Sequence, residues 1–152
     1  MTARQAQLIQ AARSYMGARW RHQGRSKDRG IDCGGLPWCA SRDCGWLHAD
    51  MKAYGRYPDG KSLRAHLRQE LVEISFRELQ PADVVLLLDV IPGVWPCHVA
   101  IVADCKERLT LIHSSAQEMR VVENGIDPSW EAKIVGCFRF KQIAEEVGPW
   151  RS

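Results

Sequence analysis

The sequence predicts an α+β fold, in which N-terminal helices pack on an antiparallel sheet. Before Gln80-Pro81, apolar residues recur at helical spacing in three separate segments. After it, short runs rich in apolar and β-branched residues alternate with turn residues. Helices followed by a meander of strands are typical of an α+β domain. With 152 residues, the chain is expected to form one domain, residues 1–152, with a sizeable core.

The first and third helical segments have amphipathic patterns. Residues 3–16 place five apolar side chains on one face: Leu8, Ile9, Ala12, Tyr15 and Met16. Thr2 with Gln5 resembles a capping box, and Gly17 is a natural stop. The third helix is expected to have Ser62 as its cap. Its apolar face would be Leu63, Leu67, Leu71 and Ile74.

A cysteine precedes the second helical segment, which is predicted over about residues 36–47. Cys33 follows Asp32, a good N-cap, so its sulfur would lie at a helix N-terminus. Unpaired N–H groups and the macrodipole there favour a thiolate, the nucleophilic form. Gly34 leaves its backbone amide open to a substrate oxygen. Pro37 predicts that the first turn is tightened or that the regular helix starts later. The alternative is a small buried cysteine at a glycine-rich turn.

Five strands are predicted after residue 81: Asp83–Leu88, His98–Ala103, Arg108–Ser114, Arg120–Glu123 and Ile134–Lys141. Turn residues separate them at Pro92-Gly93, Asp104–Glu107, Ala116–Glu118 and Asn124–Pro128. Residues 18–32 and 48–61 are expected to be connecting loops, because both are polar and contain glycine turns.

Two histidines, His98 and His113, lie in predicted strands that a hairpin joins. With Cys105-Lys106 at the hairpin tip, they would face each other directly, with Cβ atoms about 4.5–5.5 Å apart. His98 would then take the proton of the Cys33 thiol, and His113 would orient the His98 ring. Alternatively, each is a half-buried strand histidine that hydrogen-bonds to the backbone.

The other histidines and cysteines predict no metal site. His48 and His66 are expected at the surface, and His22 either lines a cleft or caps its loop. The six cysteines contain no C-x-x-C pair. Five of them are therefore expected to be reduced and structural, and no structural metal or cofactor is expected.

Composition and charge bound the remaining possibilities. Hydrophobic content of 45% and charged content of 26% are ordinary for a globular protein. No apolar run is long enough to span a bilayer, and the N-terminus lacks the apolar core of a signal peptide. Synthesis in the cytoplasm and export by another vehicle are therefore expected. A net charge of +3 is too small to predict nucleic-acid binding.

Basic residues concentrate before the cysteine: Arg13, Arg19, Arg21, Arg25, Lys27 and Arg29. They form either a solvated loop or an electropositive rim. A rim of this kind would attract a carboxylate-bearing substrate and stabilise a thiolate.

Three stretches resemble the NlpC-type cell-wall cysteine peptidases, most closely the branch encoded by phages, prophages and gene transfer agents. They are residues 17–24 leading to Asp32-Cys33-Gly34-Gly35-Leu36, residues 80–87, and His98-Val99-Ala100-Ile101-Val102 followed by Leu111-Ile112-His113. The tail from Trp130 to Phe140 is also similar. The likeness covers nearly the whole chain except about residues 48–76.

The resemblance implies a papain-like fold with a five- to six-stranded antiparallel sheet. It implies hydrolysis of peptidoglycan stem peptides, typically at the γ-D-glutamyl–diaminopimelate bond. Cys33 would be the nucleophile, His98 the base and His113 the orienting residue. The expected substrate-binding residues are Trp20, His22, Gln23, Gly34 and Ser114. A monomer is expected, associated with the virion or tail and acting on the cell wall, with phage tail-tip proteins as possible partners.

Two positions depart from the family pattern. Trp20 stands where the family usually has a tyrosine, and Pro37 stands where it tends to have an aliphatic residue. Two alternatives therefore stay open. One is a related amidase or acyltransferase that uses the same triad. The other is a phage tail-tip module that binds cell wall or has a structural role, with weak or no catalysis.

Overall fold

The computed structural model describes residues 1–51, 54, 59–91 and 95–147. The helices are α1 (Ala3–Arg13), α2 (Gly35–Asp43), α3 (Gly60–Glu70), α4 (Pro128–Glu131) and α5 (Lys141–Val147), with a 3₁₀ turn at Phe76–Glu78. The strands are β1 (Arg25–Ser26), β2 (Gly30–Ile31), β3 (Val72–Ile74), β4 (Val84–Ile91), β5 (Trp95–Cys105), β6 (Arg108–Ser115), β7 (Arg120–Gly125) and β8 (Ile134–Arg139).

A six-stranded antiparallel sheet organises the domain, in the order β3-β8-β4-β5-β6-β7. Each pair of neighbouring strands in it is antiparallel. This confirms the predicted α+β class and the five to six strands. The five strands expected from the sequence correspond to β4–β8, and β3 adds the sixth.

The two faces of the sheet carry separate apolar clusters, because side chains alternate along each strand. Val84 and Leu86 face the helices, in a core that includes Leu8 of α1 and Leu36 of α2. Val85 and Leu87 of the same strand belong to the second cluster on the other face. The alternation in β4 therefore buries both faces of a central strand.

The first helix forms as predicted at its start. Thr2 and Gln5 make a reciprocal capping box, as expected from their spacing. The helix ends at Arg13 rather than near residue 16, and Gly17 follows with a φ of +81°. Gly17 therefore shapes the turn after the helix and does not end the helix itself.

The third helix differs from the prediction at both ends. Its N-cap is Asp59, whose carboxylate accepts the backbone N–H of Ser62, so Ser62 lies inside the first turn. Leu63 and Leu67 are buried as expected. The helix ends at Glu70, and β3 replaces the predicted continuation to Ile74.

Short elements account for the other differences. The predicted loop at residues 18–32 contains the two-stranded β1–β2 ladder. The predicted last strand ends at Arg139, after which α5 begins. The predicted turns at Pro92-Gly93 and at residues 57–58 lie outside the described residues. Among the described helices, none is long and apolar enough to cross a membrane.

Candidate active site

The start of α2 places the cysteine against the sheet. The regular helix begins at Gly35, two residues after Cys33, so Pro37 falls in the first turn, where an N–H has no intrahelical partner. The regular helix therefore starts after Cys33, as Pro37 predicts, and one residue before the predicted start at residue 36. The N-cap is Gly34 and not Asp32 as predicted, although Oδ1 of Asp32 accepts the N–H of Gly35, the first helical residue, at 2.9 Å. The helix ends at Asp43 instead of residue 47, and Gly45 follows with a φ of +80°.

The Cys33 thiol is almost buried, with 6% of the residue exposed. The backbone N–H groups of Val99 and Gly34 act to lower the pKa of the thiol. Burial and the nearby Asp32 carboxylate raise the pKa of the Cys33 thiol to about 12. The sequence argument for a thiolate at the helix start is thus wrong for the resting protein. Desolvation outweighs the effect of these two N–H groups, and the thiol is neutral.

The hairpin that carries the histidines has a different turn from the one predicted. Cys105 pairs with Arg108, so the two turn residues are Lys106 and Glu107, with φ of 50° and 66°. Two central residues with positive φ are characteristic of a type I′ hairpin. The prediction that Cys105 belongs to the tip is wrong by one residue. The facing partner of every residue in the hairpin therefore moves by two positions.

The two histidines nevertheless meet. Continuing the observed register would place His113 opposite Ala100, so His98 and His113 are diagonal neighbours and not a facing pair. A shift of two positions keeps a side chain on the same face of the sheet. Nε2 of His98 lies 2.8 Å from Nδ1 of His113, with ring centroids 4.9 Å apart. The predicted contact is confirmed, through a different register.

The contact continues from His113 to β7. Nε2 of His113 lies 2.5 Å from Oδ1 of Asn124, and Trp130 packs edge-on against the His113 ring at 5.3 Å between centroids. Asn124 was predicted as the first residue of a turn, but β7 extends to Gly125. The pairing of β6 with β7 could have identified Asn124 as a partner of His113. In that register Asn124 faces Leu111, and Leu111 and His113, two residues apart in β6, lie on the same face of the sheet.

Burial sets the charge state of this pair. The pKa of His98 lies well below its usual value, because burial disfavours the imidazolium and His113 adds to the effect. Burial also lowers the pKa of His113, although Asn124 and Glu118 oppose it. Both rings are therefore neutral in the resting protein at neutral pH.

A buried polar cluster holds the segment before Cys33. The carboxylate of Asp32 accepts hydrogen bonds from the backbone N–H of Gln23 and from the Arg25 guanidinium, both at 2.8 Å, and from the hydroxyl of Tyr54. Arg25 also pairs with Asp50 at 2.8 Å. Sequence analysis identified neither Tyr54 nor Asp50, because pairing across loops has no periodic signal.

This cluster corrects the interpretation of the basic stretch. Arg25 is partly buried and paired with two carboxylates, so it belongs neither to a solvated loop nor to an open rim. Arg13 pairs with Glu123 at 2.9 Å. Arg19, Arg21 and Arg29 are exposed.

The predicted substrate-binding residues surround the same segment. Gln23 has a φ of +58° and its side chain donates to the carbonyl of Tyr54. The His22 ring packs edge-on against Tyr54 at 5.7 Å. Trp20 is 7% exposed. Ser114 is fully buried, and its hydroxyl donates to the carbonyl of Ile31 at 2.6 Å. In this state Ser114 joins β6 to β2, and substrate contact by these residues stays a prediction.

A cavity of about 60 Å³ opens beside the thiol. Its lining includes Cys33 and Gly34, side chains of α3 and the segment from His48 to Met51. His48 is not at the surface as predicted, because its side chain is only 7% exposed and packs against Phe140. His66 also lines the cavity. Within the described ranges, no group of three His, Cys, Asp or Glu side chains could hold a metal ion.

No protein-family model matches the sequence, and no curated protein matches it. The fold does match solved structures. An NLP/P60-family protein similar to a lipoprotein, from Staphylococcus aureus Mu50, has a TM-score of 0.66 and 18% identity over 92% of this chain and 42% of its own. An NlpC/P60-family protein from Bacillus cereus has a TM-score of 0.65 and 20% identity over 90% of this chain and 40% of its own.

The NlpC/p60 domain of peptidoglycan hydrolase SagA matches almost end to end. Its TM-score is 0.56 and its identity 18%, over 90% of this chain and 98% of that domain. The chain spans about two fifths of the two longer proteins. These likenesses show that the fold is the papain-like fold of NlpC/P60 proteins.

Proposed function

We propose that this chain is a cysteine peptidase that hydrolyses amide bonds of peptidoglycan stem peptides. The observation that carries the proposal is the His98–His113 pair, joined at 2.8 Å. The strand that carries His98 also carries Val99, which lines the same cavity as Cys33. The fold supports the proposal, because a solved structure that shares it is a domain of a peptidoglycan hydrolase.

The proposed reaction is acyl transfer to Cys33. Nε2 of His98 is engaged by His113, so Nδ1 is the ring nitrogen left to take the thiol proton. The sulfur attacks the amide carbonyl carbon, and the backbone N–H of Cys33 would stabilise the oxyanion. The C–N bond then breaks as His98 returns the proton to the leaving amine. Water hydrolyses the thioester and restores the thiol.

The resting charge state defines how His98 acts. Because burial raises the pKa of Cys33 and lowers that of His98, thiol and imidazole are both neutral before substrate binds. Proton transfer therefore accompanies attack on the carbonyl, as general-base catalysis, instead of preceding it as a stable ion pair.

The finer proposal is cleavage between D-glutamate and diaminopimelate. The motif resemblance supports it, and so do the exposed Arg19, Arg21 and Arg29, since stem peptides carry free carboxylates. We also propose that the chain belongs to the phage-encoded branch and acts as a monomer on the cell wall. Association with the virion or tail, and with tail-tip proteins, rests on the same resemblance.

The test is hydrolysis of a purified stem peptide, followed by mass spectrometry of the products. The wild type should release two fragments, and Cys33→Ala should reduce turnover to background. Cys105→Ala is the matched control, because Cys105 is exposed at the far end of β5 and should retain full activity. Equal turnover by wild type and Cys33→Ala would reject Cys33 as the nucleophile. Mass spectrometry of products from whole sacculi would separate a peptidase from a related amidase or acyltransferase.

The burial of the thiol favours a second candidate, a module that binds cell wall with weak or no catalysis. A nucleophile that is 6% exposed, with its pKa raised to about 12, needs a local rearrangement before it reacts. Co-sedimentation with purified walls distinguishes the two. Binding by wild type and Cys33→Ala without any soluble fragments from either would favour the binding module.

A further inference from the structure

The carboxamide of Asn124 ends the chain of contacts that begins at His98. We propose that Asn124 is a positioning residue: it fixes His113 in the tautomer protonated at Nε2, and through His113 it leaves Nδ1 of His98 as a proton acceptor. This inference rests on the proposed role of Cys33, because the acceptor matters only if a thiol delivers a proton to it.

The orientation of the amide is set by two contacts. Nδ2 of Asn124 donates to the carbonyl of Gly125 at 3.3 Å, and Oδ1 faces Nε2 of His113 at 2.5 Å. An amide oxygen can only accept a hydrogen bond. Nε2 of His113 must therefore carry a proton.

The tautomer of His113 then determines that of His98. A neutral imidazole carries one N–H, so Nδ1 of His113 has a lone pair and accepts. Nε2 of His98 lies 2.8 Å from that lone pair and must be the donor. The single proton of neutral His98 is thereby placed on Nε2, and Nδ1 is left unprotonated. If His98 alone took the other tautomer, its Nε2 lone pair would face the Nδ1 lone pair of His113. If His113 took the other tautomer, its Nε2 lone pair would face the Asn124 oxygen.

A neutral amide suits this position better than a carboxylate would. When His98 gains the thiol proton, it must later release that proton to the nitrogen of the leaving amine. The polar and charged groups that act on the pair are Asn124, which contacts Nε2 of His113, and the Glu118 carboxylate near His113. A carboxylate at residue 124 would add a close negative charge and hold the proton on the imidazoles.

The direct test is the tautomer itself, read from ¹⁵N chemical shifts of the imidazoles in ¹⁵N-histidine-labelled wild-type protein at pH 7.5. His98 and His113 should both appear protonated at Nε2. Protonation of His113 at Nδ1 would overturn the proposal. This readout does not depend on activity, so it holds or fails separately from the role of Cys33 as a nucleophile.

Three variants extend the test to turnover. Asn124→Leu should lower kcat by about tenfold with KM unchanged, and should mix the tautomers. Asn124→Asp keeps the acceptor, so it should keep the tautomer while the acidic limb of the pH profile of kcat/KM moves upward. Glu123→Gln is the control from the same strand. Glu123 contacts Arg13 and Thr110, so this change should leave tautomer and pH profile as in wild type.

The outcomes are distinguishable even where stability changes. If Asn124→Leu unfolds, Asn124→Asp and the wild-type spectrum still decide the matter. An unshifted pH profile in Asn124→Asp, or wild-type kcat and tautomers in a folded Asn124→Leu, would overturn the positioning role. An effect of Glu123→Gln equal to that of Asn124→Leu would show a general effect of strand stability and would also overturn it.

Discussion

His98 and His113 touch through Nε2 and Nδ1 at 2.8 Å, although they are not opposite each other in the β5–β6 ladder. Regular pairing of these strands extends from Cys105 and Arg108 to Ile101 and Ile112. The histidines lie beyond its last pair, where each ring can lean toward the other. Val99 follows His98 in β5 and lines the cavity that Cys33 also lines, so one strand serves both the histidine contact and the cavity.

Removing either imidazole should reduce activity to different extents. His98→Ala removes the proposed base and should lower kcat by about 10²–10⁴-fold, the usual range for a general base. His113→Ala keeps the His98 base but removes the contact that orients its ring, so a smaller decrease in kcat is expected. Turnover of stem peptide measures both.

Folding has to be checked in the same variants. Removing one imidazole leaves the buried nitrogen of the other without its hydrogen-bond partner, which lowers the free energy of unfolding by about 1–3 kcal/mol. Urea unfolding supplies that control. A folded His98→Ala variant with wild-type kcat would contradict the relay.

Alkylation of Cys33 should follow the pKa of a buried thiol. Since burial raises that pKa to about 12, the thiolate fraction near pH 7 is very small and rises with pH. We expect iodoacetamide to modify exposed Cys105 first, and the rate at Cys33 to increase continuously from pH 6 to pH 9. Peptide mapping by mass spectrometry gives both rates.

The contrary result would be informative about activation. Selective modification of Cys33 at mildly acidic pH, with a plateau near neutrality, is the behaviour of a thiolate–imidazolium pair. It would show that the protein in solution populates a more open site than the resting geometry.

The sheet could be predicted because its signal is local and periodic. Alternation along Val84–Leu87 buries one set of residues against the helices and the other against the second cluster. The end of α3 could not be predicted in the same way. Leu71 continues the helical spacing, yet β-pairing of Val72–Ile74 with β8 competes with the helix and prevails.

In the candidate site, too, the residues with a local sequence signal could be predicted and the others could not. Cys33 and His98 are recognisable from their neighbours in sequence. The contact between His98 and His113 was predicted correctly although the turn was not, because a register shift of two positions leaves both side chains on the same face of the sheet. Asn124, Tyr54 and Asp50 were missed. Their roles come from side chains that meet only after the loops are placed, so no spacing along the chain indicates them.

The type I′ turn offers a test of the register. Glu107 has a φ of +66°, a conformation that glycine adopts at little cost. Glu107→Gly should therefore raise the free energy of unfolding, by about 0.5–1 kcal/mol. Activity should not change, because the pairing of Cys105 with Arg108 is kept. Urea unfolding and peptide turnover measure the two effects, and a clear loss of stability would contradict the observed turn.

The ion pair between Asp83 and Arg139 should be worth far more to stability than a surface pair. Asp83 is fully buried, and its carboxylate contacts the Arg139 guanidinium at 2.8 and 2.9 Å, joining the start of β4 to the end of β8. Asp83→Asn leaves a buried cation without its counter-ion, which costs about 3–5 kcal/mol. Glu73→Gln is the matched control, because the Glu73–Arg68 pair is exposed and should cost below about 1 kcal/mol. Urea unfolding at pH 7.5 gives both values, and equal losses would mean that burial does not set the strength of the Asp83 pair.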